Sequence, residues 1–101
     1  MNMKEKMPQV EIDRVIHAPA RLVISAILYA ADQTDFLFLM NQTGLTKGNL
    51  SSHLSKLEDA GYIDVQKTYN GKIPQTLYRL TKRGRSAFNS YRENLGKIID
   101  Q

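Results

Sequence analysis

The residues from Lys47 to Lys56 have the clearest chemical character in this chain. Apart from two leucines they are small and polar or positively charged, and no acidic residue lies among them: Lys47, Gly48, Asn49, Ser51, Ser52, His53, Ser55 and Lys56. Small hydroxyl and amide side chains allow a close approach with hydrogen bonds, while lysines attract negative charge. The stretch could therefore contact a polyanion. The alternative is an ordinary solvated helix face, although such faces more often carry pairs of long Glu and Lys side chains.

These residues are predicted to lie on one helix whose two ends are marked in the sequence. Thr46 can cap the N-terminus through its hydroxyl, and Gly61 suits the left-handed conformation that ends many helices. Glu58 and Asp59 fall in the last turn, so we expect that turn to point away from phosphate. Three leucines spaced four and three residues apart predict a single buried stripe: Leu50, Leu54 and Leu57.

The segments before this helix predict a helical pair. Val10 to Ala31 is predicted to be mostly helical, and Pro19 suits the first turn of a helix that is apolar on most sides and so forms a core element or a dimer surface. Just before it, a short helical turn is expected to cover the same core with Ile12, Val15 and Ile16. Asp35 can cap a second helix from Phe36 to about Thr43, which Gly44 would end. Two short helices joined by a tight turn with glycine form a helix-turn-helix, whose second helix enters the major groove with its N-terminal residues first. The side chains predicted to face inward from the first of the two are Phe36, Leu37, Leu39 and Met40.

A basic hairpin is predicted directly after this pair. Residues 62–67 and 76–80 have the alternation and the composition of strands. The loop between them, residues 68–75, contains an Asn-Gly turn signal. A hairpin in this position is interpreted as a wing. Its polar and basic side chains are Asn70, Gly71 and Lys72, with Lys67 at the base.

The chain is predicted to end in an amphipathic helix. Thr81 can cap this helix, which would run from Lys82 to about Ile99. A small domain needs only part of the apolar stripe on this helix for its own core. We therefore expect the helix to contribute to a homodimer interface through Tyr91, Leu95, Ile98 and Ile99.

Two basic side chains have more than one possible role. Arg21 can pair with an acid such as Asp13 or contact a phosphate. His53 lies on the flank between the apolar stripe and the polar face of its helix. It can be a packed or phosphate-bonding residue, or alternatively a base reader or a pH switch.

The length and charge of the chain narrow the classes of function. The 101 residues, 42% of them hydrophobic and 24% charged, predict a single globular domain spanning residues 1–101. The net charge is +4, and residues 47–92 contain nine Lys and Arg against three acids. Residues 1–46 contain four Lys and Arg against five acidic residues. A basic middle segment is typical of a nucleic-acid face, although acidic proteins and lipids also bind basic patches.

The sequence argues against several other classes. The absence of cysteine excludes disulfides and thiolate metal sites, and it fits a cytoplasmic protein. The longest apolar run, Leu22 to Ala31, is too short to cross a bilayer, and the N-terminus lacks the apolar core of an export signal. We find no nucleophile–base pair, no phosphate-cradling glycine loop and no cluster of metal ligands. We therefore expect neither an enzyme nor a cofactor, metal or membrane partner.

The order of these elements resembles that of winged helix-turn-helix transcriptional regulators. The stretches that carry the resemblance are Gly44–Ile63 and Tyr78–Arg85, and the chain looks like the small stand-alone bacterial and archaeal regulators related to the MarR and ArsR families. The resemblance implies an α+β, mainly α fold with a three-helix core, a two-stranded β-wing and a C-terminal helix. It also implies a homodimer.

The resemblance implies a sequence-specific regulator of double-stranded DNA. A recognition helix at residues 47–60 would enter the major groove, and a wing at residues 68–75 would lie on the flanking backbone or minor groove. The DNA-binding residues would be Lys47, Gly48, Asn49, Ser51, Ser52, Lys56, Lys67, Asn70, Gly71 and Lys72. A winged-helix module that binds an acidic protein is the alternative. The lack of cysteine excludes the familiar thiolate metal sensors. Larger MarR-type proteins have longer terminal helices that frame a ligand pocket, so the resemblance does not extend to a small-molecule effector, which stays an open question.

Overall fold

Four helices and a three-stranded antiparallel sheet make up the part of the chain, residues 11–100, that the computed structural model describes. None of these helices is both long and apolar enough to cross a membrane. In chain order the elements are α1 (Pro19–Ala31), β1 (Thr34–Asp35), α2 (Phe36–Thr43), α3 (Lys47–Asp59), β2 (Ile63–Asn70), β3 (Ile73–Leu80) and α4 (Lys82–Ile99).

Helix α1 begins at the proline that suited its first turn. Its first residue is Pro19, and Ala18 before it is extended, with φ −147° and ψ 129°. A proline disfavours the helical conformation of the residue that precedes it, so one continuous helix from the region of Val10 is not formed. Val10 itself lies outside the described residues. Helix α1 crosses the core and buries Ile24, Ser25 and Leu28.

A short turn before α1 is held by the carboxylate of Asp13. Its Oδ1 atom accepts the backbone N–H groups of Val15 and Ile16, each at 2.9 Å. The turn places Ile16 in the interior, where only 1% of its surface is exposed. The predicted helical turn that covers the core is therefore present here.

Helices α2 and α3 form the predicted helix-turn-helix. The Asp35 carboxylate caps α2 by accepting the N–H of Phe38 at 2.8 Å, and Gly44, with φ +70°, ends the helix. The placement of Leu37 in the core was wrong, because 63% of its surface is exposed. Leu39, two residues along, is fully buried. Residues two apart on a helix lie on different sides, so only one of these leucines can face inward.

Helix α3 has the two ends that the sequence predicted. The Thr46 hydroxyl accepts the N–H of Asn49 at 3.2 Å, which caps the N-terminus. At the other end Gly61, with φ +77°, donates its N–H to the carbonyl of Glu58, and Tyr62 donates to the carbonyl of Leu57. These two bonds form a Schellman motif. The buried residues of α3 are the predicted stripe of Leu50, Leu54 and Leu57.

The hairpin is longer than predicted and belongs to a larger sheet. Strands β2 and β3 pair over eight residues each, down to Asn70 opposite Ile73, and leave a two-residue turn in which Gly71 has φ +65°. Strand β1 pairs Thr34 and Asp35 with the middle of β3, which gives the strand order β1-β3-β2. The sequence did not predict β1, because two residues are too few to show an alternation.

Helix α4 closes the core from the other side. The Thr81 hydroxyl accepts the N–H of Gly84 at 2.9 Å and caps the helix as predicted. Phe88 and Tyr91 pack with Ile16 in a cluster of their own, beside the main cluster that contains the leucines of α3. The fold is the predicted winged helix-turn-helix: three core helices, a wing and a C-terminal helix.

Candidate nucleic-acid interface

The polar face of α3 is open to solvent. Its buried leucines hold the helix against the core, and this fixes which side faces outward. The side chains predicted to bind DNA from this helix are all exposed: Lys47, Gly48, Asn49, Ser51, Ser52 and Lys56. The acids Glu58 and Asp59 are also exposed, but at the far end of the helix. The structure therefore brings the predicted residues onto one accessible face of α3, and the leading end of this helix carries no acidic residue.

One flank of α3 lies beside the wing. Lys47 and Ser51 line an open groove of about 320 Å³ together with Pro74 and Thr76 of β3. The remaining wall is formed by Asp35 at the end of β1 and by Phe36 and Leu37 at the start of α2. The leading half of α3 and the distal half of β3 are thus neighbours, which allows one ligand to contact both.

The wing presents two kinds of exposed side chain. Its predicted contact residues are all exposed: Lys67, Asn70, Gly71 and Lys72. Sequence reasoning missed two large apolar residues, Tyr69 and Ile73, which are 71% and 68% exposed. Their exposure follows from the strand pairing, because β2 and β3 continue beyond the core that covers Ile63 and Tyr78. An Asn-Gly turn would place Asn70 and Gly71 at its centre, whereas in the structure Asn70 ends β2 and the two turn residues are Gly71 and Lys72.

The other flank of α3 contacts α1. One terminal nitrogen of Arg21 lies 3.1 Å from Nδ1 of His53, and the Arg21 Nε–H donates to the carbonyl of Val15 at 2.6 Å. Burial lowers the pKa of His53, and the positive charges of Arg21 and Lys56 lower it further. The lowered pKa of His53 favours the neutral imidazole, and a neutral imidazole can accept the hydrogen bond from the Arg21 guanidinium.

The pairing of Arg21 with Asp13 was wrong. The Asp13 carboxylate instead accepts the hydroxyl of Tyr62 as well as its two backbone N–H groups. Burial, followed by the hydrogen bond and the charge of Asp13, raises the pKa of Tyr62 to about 12. Tyr62 therefore stays protonated near neutral pH and remains a donor to Asp13.

The basic residues at the start of α4 have different surroundings. Arg85 lies over the ring of Tyr29 at 4.9 Å and is 3.9 Å from the Asp32 carboxylate. Lys82 and Arg83 are exposed. Arg85 is thus occupied within the fold, while the other two add positive charge to the surface.

The residues predicted for dimerisation differ in exposure. Tyr91 is only 3% exposed, and its hydroxyl lies 2.9 Å from Nδ1 of His17. It therefore has little surface left for a second chain. Leu95 and Ile98 are half-buried, whereas Ile99 is 67% exposed.

Comparisons with known proteins agree with this architecture. A family model described as a winged helix DNA-binding domain matches residues 20–99. An uncharacterised protein of Methanocaldococcus jannaschii is 33% identical over 78 residues, which are 77% of this chain and 85% of that protein. Among solved structures, a transcriptional regulator homologue from Pyrococcus horikoshii OT3 superimposes with a TM-score of 0.82 at 27% identity, and the match covers 87% of each chain.

A more distant structure has the same fold. A MarR-family protein from Porphyromonas gingivalis W83 superimposes with a TM-score of 0.57 at 16% identity, over 92% of this chain and 98% of that one. The family model and the structure from Pyrococcus horikoshii confirm the resemblance to winged helix-turn-helix transcriptional regulators. Because the family model matches most of its length, the chain belongs to the winged helix DNA-binding domain family.

Proposed function

We propose that this protein is a sequence-specific transcriptional regulator that binds double-stranded DNA as a homodimer. The observation that carries the proposal is the exposed polar face of α3, which is acid-free from Lys47 to Lys56. It projects beside a basic hairpin in a family of DNA-binding domains. We expect no catalytic activity. In a prokaryotic cell such a regulator would work in the cytoplasm, where the chromosome lies.

Helix α3 would enter the major groove with its N-terminal end first. That groove is wide enough to admit one helix, and small side chains such as Ser51 and Ser52 let the helix approach the base edges. Asn49 can pair with adenine, since its amide both donates and accepts. Lys47 and Lys56 would contact phosphates and fix the register of the helix in the groove.

The wing would contact the DNA next to that groove. Lys67 and Lys72 would neutralise phosphates, which strengthens binding to any sequence. Asn70 and Gly71 form the exposed end of the hairpin together with Lys72, a shape that suits the minor groove or the backbone. Affinity would therefore come mainly from the basic residues and sequence preference mainly from α3.

A homodimer would form through the last turns of α4. Ile99 offers an exposed apolar side chain, and Leu95 and Ile98 lie next to it on the helix. Two copies related by a two-fold axis would place two recognition helices in successive major grooves, about 34 Å apart. We therefore expect the operator to contain two half-sites in inverted orientation.

A protein-interaction module is the second candidate function. It is favoured by the apolar side chains Leu37 and Phe38, which are 63% and 44% exposed. Leu37 lines the same groove as Lys47, so an acidic peptide with apolar residues could occupy that groove.

Salt dependence separates the two candidates. Binding of a labelled mixed-sequence duplex should weaken by roughly tenfold or more between low and physiological salt if several phosphates are contacted. An affinity that barely changes with salt would contradict the DNA proposal. Protection of genomic fragments by the purified protein would then give the operator, its spacing and its symmetry together.

A further inference from the structure

Arg21 and His53 join α1 to the flank of α3 that faces away from the wing. Ser51, which lines the groove beside the wing, and His53 are two residues apart. They therefore project about 160° apart around the helix. If α3 lay in a major groove, the Arg21–His53 pair would face the sugar–phosphate backbone on the side away from the wing.

The guanidinium of Arg21 has no acidic partner in the described part of the chain. The ion pairs found in residues 11–100 join Arg79 to Asp64 and Arg85 to Asp32. The acceptors around Arg21 are the carbonyl of Val15 and Nδ1 of His53, and both are uncharged. Its charge is therefore not neutralised locally, so it can attract an oxyanion.

The surroundings of His53 are positively charged as well. The charged groups that act on its imidazole are Arg21 from α1 and Lys56 from its own helix. Nδ1 can accept from Arg21 only while it carries no proton, because a protonated Nδ1 would point its N–H at another donor. Protonation of His53 and its present bond to Arg21 therefore exclude each other.

We propose that Arg21 and His53 form a third DNA contact, a phosphate-binding site on the flank opposite the wing, and that His53 takes up a proton when a phosphate occupies it. The phosphate oxygen would replace His53 as the acceptor for the Arg21 guanidinium. The freed Nδ1 would then accept a proton from the solvent, and the phosphate charge would stabilise the imidazolium. This inference rests on the proposed DNA-binding function.

The first experiment measures affinity for a labelled mixed-sequence duplex as the pH is varied between about 5.5 and 8. Wild-type affinity should rise as the pH falls, by at most about tenfold per pH unit for one linked proton. His53→Gln should abolish this rise. His17→Gln should retain it, because the His17 ring lies against the hydroxyl of Tyr91 and is not the partner of Arg21. A rise that persists in His53→Gln would overturn the proposal.

The second experiment tests Arg21 at constant pH. Arg21→Gln should bind the duplex about tenfold more weakly. The slope of log affinity against log salt concentration should fall by about one, because one fewer counterion is released from the DNA. Lys97→Gln removes the same charge from an exposed site on α4 and serves as the control for net charge. Arg21→Lys should recover part of the affinity, since it restores the charge without the fork of N–H donors. Equal affinities of Arg21→Gln and Lys97→Gln would overturn the proposal.

A proton NMR titration of the His53 ring gives a readout that does not depend on affinity. The ring should titrate below the ordinary histidine range in the free protein and above it in the DNA complex. A His53 ring that titrates over the same pH range in the free protein and in the DNA complex would overturn the proposed proton uptake. If the proposed DNA-binding function itself is wrong, the result is different: the wild-type protein shows no salt-dependent binding to duplex DNA.

Discussion

Replacing Gly84 by alanine should destabilise the fold, even though this change stabilises most helices. Gly84 lies in the first turn of α4, against the backbone of Tyr62. A Cβ atom at Gly84 would be 2.0 Å from the Tyr62 carbonyl oxygen and 2.8 Å from its carbonyl carbon. These neighbours are main-chain atoms, which cannot rotate away as a side chain could. The start of α4 would have to move by about 1 Å to bring the closest contact to 3.0 Å.

That movement damages contacts on both sides of the glycine. The N–H of Thr81 donates to the same Tyr62 carbonyl at 3.0 Å, and the shift would break this bond. A lost hydrogen bond costs about 1 kcal/mol. Displacement of Phe88 and Tyr91 from their cluster adds an overpacking cost of roughly 1–3 kcal/mol. Alanine regains about 1 kcal/mol of helix propensity. We therefore expect a net loss of about 2 kcal/mol, or roughly 8–16 °C in the melting temperature of a domain this size.

Gly96 in the same helix provides the matched control. A Cβ atom there would meet only the Asp100 carboxylate, at 3.9 Å. Gly96→Ala should therefore stabilise the protein by about 0.5–1 kcal/mol. Both variants are compared with wild type by urea and thermal unfolding at one protein concentration, because dimerisation would make stability depend on concentration. A Gly84→Ala variant as stable as Gly96→Ala would refute the packing argument.

Three further predictions test the recognition surface, the core and the dimer contact. Ser52→Ala should change which duplexes are preferred in a selection from random sequences, whereas Lys72→Ala should weaken binding to all duplexes alike; equal and uniform losses from both would remove Ser52 from base recognition. Leu54→Ala should cost about 2–5 kcal/mol in urea unfolding, because Leu54 is 4% exposed under the recognition helix; a loss below 1 kcal/mol would show that this site can collapse. Ile99→Asp should shift the sedimenting species from dimer toward monomer, and a monomeric wild-type protein at micromolar concentration would contradict the dimer proposal itself.

Local signals explain why most of the fold could be predicted from the sequence. Asp35, Thr46 and Thr81 each cap the helix that follows them, and Gly61 ends α3 in the left-handed conformation. Capping depends on residues within a few positions of each other, so the sequence alone is sufficient. The leucine stripe of α3 was equally clear, because its spacing matches the helical repeat.

Contacts between distant segments explain what could not be predicted. Strand β1 exists because Asp35 meets Leu77, which is 42 positions further along the chain. The partner of Arg21 is His53, and no spacing rule connects residues on two crossing helices. Tyr91 was assigned to a dimer contact because an amphipathic stripe does not reveal which part the protein's own core will cover. All three points concern tertiary placement, whereas the helix boundaries near the caps were predicted correctly.

Tyr62 shows how the recognition helix is held relative to the rest of the domain. Its backbone N–H completes the C-terminus of α3, and its carbonyl accepts the N–H of Thr81 just before α4. Its hydroxyl bonds Asp13 in the N-terminal segment, and its raised pKa, about 12, keeps that donor protonated at neutral pH. Gly84 packs on the same backbone without room for a side chain. Any displacement of α4 must therefore break at least one bond of Tyr62 or move the end of α3 with it, so the orientation of the DNA-facing helix depends on the position of the helix proposed for dimerisation.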